Sequence, residues 1–216
     1  MVKKSSYFRP LLPLLYLPAF TRNFWVGRLL GLEYMGLFLA GITVLMLVFY
    51  QLIPMKIYTE IEIQASDKQV WNLLTDFASF PHWNLFIRQI SGSLSEGAQL
   101  TVHFQPPGTD IMIFRPTVIT VEPNRKLRWL GHFLIPGLFD GEHSFIIEPL
   151  ASDVYDGLRL RVRFIQQASF QGLLVPLLAR RLNIDVRQGF EAMNQTLKTK
   201  AERIHQTTIT SLNAQV

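Results

Sequence analysis

From residue 57 onward the chain alternates apolar and polar side chains in short runs, then ends on one long stripe. Ile57, Thr59, Ile61 and Ile63 interleave with Tyr58, Glu60, Glu62 and Gln64. Successive side chains of a strand point to opposite faces, so this run predicts a strand with one buried face. Leu100, Val102 and Phe104 repeat the pattern, and Leu158, Leu160, Val162 and Phe164 repeat it against Arg159, Arg161 and Arg163. Strands are also predicted over 86–93, 110–122, 126–134 and 142–149, separated by turn residues such as Pro106-Pro107-Gly108, Pro123-Asn124 and Pro136-Gly137. Ser66 is a favourable N-cap ahead of Val70, Trp71 and Leu74 at helical spacing. At the other end Val186, Phe190, Met193, Leu197, Ala201 and Ile204 lie on one face of a long helix. Its start is expected near Gly172, with Pro176 in the first turns, where proline is tolerated. The expected fold class is therefore α+β: one antiparallel, seven-stranded sheet wrapped around a long C-terminal helix that must bury its stripe on the sheet.

Charge separates this body from what precedes it. The chain has 216 residues and a net charge of +5. Six of the 21 basic residues and one of the 16 acidic ones fall in the first 56 positions, leaving 15 of each in the remainder. A neutral body with a basic tail fits membrane orientation and argues against nucleic acid as a partner. There is no cysteine, which excludes disulfides, thiolate nucleophiles and thiolate metal sites.

From Tyr34 to Met55 no residue is charged. About twenty helical residues cover the ~30 Å hydrocarbon core of a bilayer, and Tyr34 and Tyr50 stand where interfacial aromatics belong. A transmembrane anchor helix is expected over 34–55, with the lipid bilayer as partner. The run begins too late for an ordinary signal peptide, and no small-residue cleavage site follows it. Residues 1–33 form a basic, Pro-rich segment expected in the cytoplasm or at the interface. Pro10, Pro13 and Pro18 break the apolar stretch 10–20, so it does not make a second span. Five basic residues precede the anchor, which places the N-terminus in the cytoplasm and the domain on the outer, periplasmic or extracellular, side. The domain is expected over 57–205 and a flexible tail over 206–216.

Several ordered pieces carry a family resemblance. Ile61-x-Ile63-x-Ala65-Ser66-x-x-x-Val70-Trp71-x-Leu73-Leu74-Thr75-Asp76-Phe77 resembles the opening of the SRPBCC (START-like, polyketide cyclase-like) superfamily. Phe80-Pro81-His82-Trp83-Asn84-Leu85-Phe86-Ile87 is similar to another stretch, with Leu85 in place of a frequent proline. Leu127-Arg128-Trp129, the run Pro136 to Phe145, and Gly189-Phe190-x-x-Met193-Asn194-x-x-Leu197-Lys198 extend the resemblance over about 57–205. It implies the helix-grip fold and a cavity for a hydrophobic small molecule or lipid under the long helix. It does not fix a function, because one fold hosts many.

Inward-facing strand residues and the helix stripe would line such a cavity: Trp83, Phe86, Phe104, Trp129, Phe145, Leu160, Val162, Phe164, Phe190 and Met193. The same residues could equally fill a solid core. The segment His132 to His143, with Phe139, is expected at the mouth. His143 shares parity with Phe145 and Ile147, so it is expected inside, as a ligand-orienting group or a satisfied core histidine. His132, Asp140, Glu142 and His143 lack a metal-binding spacing, so no metal is expected. No nucleophile elbow, phosphate loop or dinucleotide motif is present, and no catalytic residue or cofactor is expected. Three readings remain open: membrane-anchored binding or transfer of a hydrophobic molecule, a polyketide-cyclase-like enzyme, and an interaction domain with a filled core.

Overall fold

The computed structural model describes residues 34–45, 53–150, 154–155, 158–159 and 161–213. The chain divides into two units, Met1–Tyr50 and Gln51–Val216. In the first, α1 (34–45) is a helix whose side chains are all exposed, among them Tyr34, Leu37 and Phe38. At ~1.5 Å per residue its described part covers roughly 18 Å, less than a bilayer core. Among the described residues no helix is long and apolar enough to cross a membrane. Of the anchor helix expected over 34–55, the described part is helical at 34–45 and not at 53–55. Residues 46–52 lie outside the described residues, Ile53 and Pro54 are not helical, and Met55 already belongs to a strand. Proline disfavours helix at the residue before it, and its ring nitrogen cannot donate, which is consistent with this stop.

In the second unit β1 (Met55–Ile63) is followed by α2 (Asp67–Thr75), a 3-10 turn (Phe77–Ser79) and the single-turn α3 (Phe80–Trp83). Ser66 caps α2 by accepting from the Gln69 amide at 3.2 Å. Asn84 is buried and its Oδ1 accepts from the amides of Phe86 (3.0 Å) and Ile87 (2.9 Å), turning the chain out of α3. Then come β2 (Ile87–Ser91), β3 (Thr101–Phe104), β4 (Met112–Phe114), β5 (Thr117–Glu122), β6 (Lys126–His132), β7 (Asp140–Pro149), the short pair β8 (Val154–Tyr155) and β9 (Leu158–Arg159), β10 (Val162–Gln171), and α4 (Val175–Asn213).

The strands do not form one seven-stranded sheet. A five-stranded antiparallel sheet has the order β1-β10-β7-β6-β5, a second sheet is β2-β3-β4, and β8 pairs with β9. The run expected as one strand over 110–122 is two strands in different sheets, divided at Arg115-Pro116. Proline removes a ladder donor and is confined to such breaks. The Gln99–Thr117 bridge ties the two sheets, with Leu100 N donating to Pro116 O at 2.8 Å and Val118 N to Ala98 O at 2.9 Å. The last expected strand, 158–164, is likewise divided between β9 and β10.

α4 continues to Asn213, past the boundary expected at 205. Its stripe meets the sheet through Phe190, Met193, Leu197 and Ala201, which join Ile57, Ile63, Leu127, Phe145, Val162 and Phe164 in one buried core. Val186 is half-buried and Ile204 is exposed, so the docked part of the stripe is shorter than its periodicity. On the outer face of the large sheet Arg161 lies 3.5 Å from Glu62, and Arg163 lies within 4.0 Å of both Glu60 and Glu148. Arg161 and Arg163 of the cationic row are thus paired with acidic neighbours.

Candidate ligand site between the sheet and the long helix

Register puts inward-facing residues of neighbouring strands side by side. His143 of β7 stands between Trp129 of β6 and Ala168 of β10, and one row further Gly141 stands between Gly131 and Phe170. Met55 of β1 pairs with Phe170, so the same row reaches the first strand. Thr59, Gln166, Phe145 and Leu127 make the row on the other side of His143.

His143 faces inward, as its parity requires. Its ring stacks on Phe190 of α4 with centroids 4.6 Å apart and meets Trp129 edge-on at 5.3 Å. Its Nε2 lies 3.2 Å from Gln166 Oε1. The Gln166 amide nitrogen donates to Asn194 Oδ1 at 2.5 Å and to Phe190 O at 3.4 Å, so Oε1 is the acceptor and His143 Nε2 carries the proton. Asn194 Nδ2 donates in turn to Thr59 Oγ1 at 3.1 Å. Four polar side chains therefore cross the interface of helix and sheet in one hydrogen-bonded line. A buried polar network of this kind fixes relative position, since each member left alone would be costly. Burial pushes the His143 pKa down to about 3, against a smaller upward pull from Gln166. The imidazole is neutral at every physiological pH. Among the described residues the Trp129 indole N–H is buried without an acceptor.

Around this line the rings form a continuous path. Phe114 touches Phe104, Phe104 touches Phe86, and Phe86 meets Phe190 edge-on. Beyond His143, Phe145 stacks toward Phe164. Two close approaches depend on glycine. A Cβ on Gly189 of α4 would fall 2.2 Å from the Phe86 ring. A Cβ on Gly131 would fall 2.3 Å from Phe114 Cζ. Gly131 and Gly141 thus form a floor without side chains, on which the half-buried Phe114 lies beside Phe170.

The residues expected to line a cavity separate accordingly. Phe86, Phe104, Trp129, His143, Phe145, Phe164 and Phe190 are joined in the ring path, and Phe139 packs on Phe170 at 5.5 Å, at its open end. Met193 is buried one turn along α4 from Phe190. Trp83 is elsewhere: it packs on Phe80, donates to Ser79 Oγ at 3.1 Å, and carries Lys200 Nζ over its ring. Val162 pairs with Ile63 and Pro149 at the far end of the sheet and is core. Leu160 lies outside the described residues. Gln166, Asn194, Thr59, Phe114 and the glycine pair were not singled out from sequence. A glutamine at the parity of Val162 and Phe164 was the available signal for Gln166.

The would-be metal residues go separate ways. His132 Nδ1 lies 2.6 Å from Asp140 Oδ1, and the Asp140 carboxylate also accepts from the Gly137 amide at 3.0 Å. Glu142 takes Arg128 at 2.7 Å on the outer face, opposite His143. A surface groove of about 500 Å³ beside α2 lies at the other end of α4 from His143; it is open to solvent and its wall mixes Lys68, Gln69, Asn72 and Asp76 with Leu73 and Ile204, unlike an enclosed apolar ligand site.

Residues 54–202 match the family described as "Polyketide cyclase / dehydrase and lipid transport". A START superfamily protein from Mycobacterium smegmatis superposes with a TM-score of 0.54 at 18% identity, covering 69% of this chain and 98% of its own. The Zhui aromatase/cyclase from Streptomyces sp. R1128 superposes with a TM-score of 0.55 at 16% identity, covering 70% and 95%. A point mutant of norcoclaurine synthase from Thalictrum, in complex with a transition state analogue, gives 0.53 at 12%, covering 71% and 97%. At these identities the likeness is one of fold. No curated protein sequence matches the chain. With the helix-grip architecture and a family match over most of its length, the chain belongs to the polyketide cyclase/dehydrase and lipid transport family of the START/SRPBCC superfamily.

Proposed function

We propose that the chain is a membrane-tethered domain that binds a hydrophobic small molecule or lipid between its large sheet and α4, and passes it to or from the bilayer. The observation that carries this reading is the side-chain-free floor of Gly131 and Gly141, covered by the half-buried ring of Phe114. Lifting one ring opens an apolar space walled by Phe104, Phe170 and Trp129. The Trp129 indole N–H, buried without a partner one row from Gly131, is the candidate donor for a ligand with an apolar body and a single oxygen acceptor.

The tether rests on the uncharged run Tyr34–Met55 and on α1, whose described apolar side chains are exposed. A helix apolar on all sides belongs in a core or in lipid. The basic flank before it supports an N-terminus on the cytoplasmic side and a domain on the outer side.

The cyclase-like alternative needs an acid or base. His143 is the one buried titratable group on the ring path, and a base works best with a pKa near the ambient pH. At about 3 its protonated form is roughly one part in ten thousand at neutral pH. It can orient a ligand, but it is a weak proton acceptor.

The test is native mass spectrometry with lipid extraction on the full chain in detergent, joined to titration with a hydrophobic fluorescent probe. A stoichiometric apolar ligand is expected. Phe114→Ala should take up probe several-fold more tightly than the parent, and Gly131→Phe should take up none. An empty protein whose Phe114→Ala variant also ignores the probe sinks the proposal and leaves an interaction domain with a filled core.

A further inference from the structure

One end of the domain is apolar in a way its own stability does not require. The loop Phe133-Leu134-Ile135-Pro136-Gly137-Leu138-Phe139 and the segment Gly172-Leu173-Leu174-Val175-Pro176-Leu177-Leu178-Ala179 contain no charge. They are held together by Leu173 N donating to Gly137 O at 3.1 Å and Leu174 N to Leu138 O at 3.0 Å. Leu134 is 78% exposed, Ile135 64%, Leu173 62% and Leu177 81%. Leu134 also has φ 64°, the left-handed region that a branched apolar residue rarely adopts. A glycine or asparagine would hold that backbone more cheaply. The chain instead spends strain to hold a leucine in water, a pattern that points to contact with something else.

Register shows where this rim lies in the sheet. Met55 pairs with Phe170 and Gly141 pairs with Phe170 from the other side, so β1 begins at the same end of the sheet as this rim. The uncharged run Tyr34–Met55 leads directly into β1 there, with Ile53 exposed just before it. Arg180 and Arg181 follow the apolar segment on α4, about 5 Å along the axis from Leu177, with Arg181 also reaching Asp185 at 3.2 Å. Apolar side chains in front and guanidinium groups one turn behind match acyl chains and anionic headgroups.

We infer that this rim is a bilayer-docking surface, immersed in the outer part of a membrane carrying anionic lipid, and that it sets the open end of the ligand site against the lipid. The inference rests on the tether proposed above and adds the orientation of the domain on the membrane.

The chain has no cysteine, so single-cysteine variants of the full chain label uniquely. Leu134→Cys, Leu177→Cys and, at the far end of β5, Glu122→Cys are coupled to an environment-sensitive fluorophore. They are then reconstituted in phosphatidylcholine–phosphatidylglycerol vesicles. The labels at 134 and 177 should be quenched by acyl-chain nitroxides and shielded from aqueous iodide, with the reverse at 122. Arg180→Glu with Arg181→Glu should lower nitroxide quenching at 177 several-fold. If the chain floats with the vesicles but iodide reaches 134 and 177 as freely as 122, docking is overturned while the tether stands. Labels reached by neither quencher mean that protein covers the rim, either the chain's own N-terminal segment or a second copy, and docking is overturned. A chain that does not float with the vesicles overturns tether and docking together.

Discussion

The two halves of α4 obey different rules. From Phe190 to Ala201 the helix buries Phe190, Met193, Asn194, Leu197 and Ala201 against the sheet, and its exposed positions are polar. From Val175 to Gln188 it buries only Val175, while Leu177, Leu178 and Ile184 face out. One half is a core helix docked by packing and by the Gln166–Asn194–Thr59 line. The other projects apolar surface past the edge of the sheet. In one half the apolar residues serve folding; in the other they remain available for contact.

Substitution should expose the contrast. Phe190→Ala removes a fully buried ring and is expected to cost about 3–5 kcal/mol. Leu177→Ala, the same kind of truncation on the same helix, should stay within about 0.5 kcal/mol. Urea unfolding midpoints of the two variants measure the difference, and equal losses would erase the distinction between the halves.

Acid attacks the docked half. The folded pKa of His143 lies below its unfolded value of 6.5, at about 3, so its contribution is full above pH 6.5 and is lost as pH falls toward 3. On the order of 3 kcal/mol should be gone by pH 4 from this group. His143→Phe should flatten that limb of a stability–pH curve while lowering its plateau, because Gln166 Oε1 then loses its donor. An unchanged acid limb in the variant would show that other groups control it.

A smaller effect sharpens the boundary between the halves. Gly189→Ala gains roughly 1 kcal/mol of helix propensity. Its Cβ, however, would meet the Phe86 ring, which is wedged between Phe104 and Phe190. A net loss of about 1–2 kcal/mol is expected in the same unfolding experiment. A net gain would show that Phe86 has room to move and that the boundary is soft.

Much of this was legible in residue order. Alternation identified the inward faces of β1, β6 and β7, including His143, and the helical stripe identified Phe190, Met193, Leu197 and Ala201. Alternation says which face a residue takes; it does not say which strand lies beside it. That is why 110–122 read as one strand: the pattern runs on through Arg115 and Pro116 while the chain changes sheets. Trp83 and Val162 have the right chemistry and the right parity, but strand and helix position put them far from His143, and position along an element is invisible to periodicity. The glycine floor was hidden for the opposite reason. Gly131 and Gly141 matter through a side chain they lack, opposite a phenylalanine contributed by another sheet.

The seam between the two sheets bears on how the molecule yields under load. The five-stranded sheet is a continuous ladder, whereas the small sheet meets it at the Gln99–Thr117 bridge and the few backbone bonds around it. Phe114 lies across that seam, fixed to the small sheet and resting on the large one. Compliance is therefore concentrated along one line. The molecule resembles a book with a stiff cover and a narrow spine, and a small rotation about that spine lifts Phe114 from its floor without disturbing the ladder.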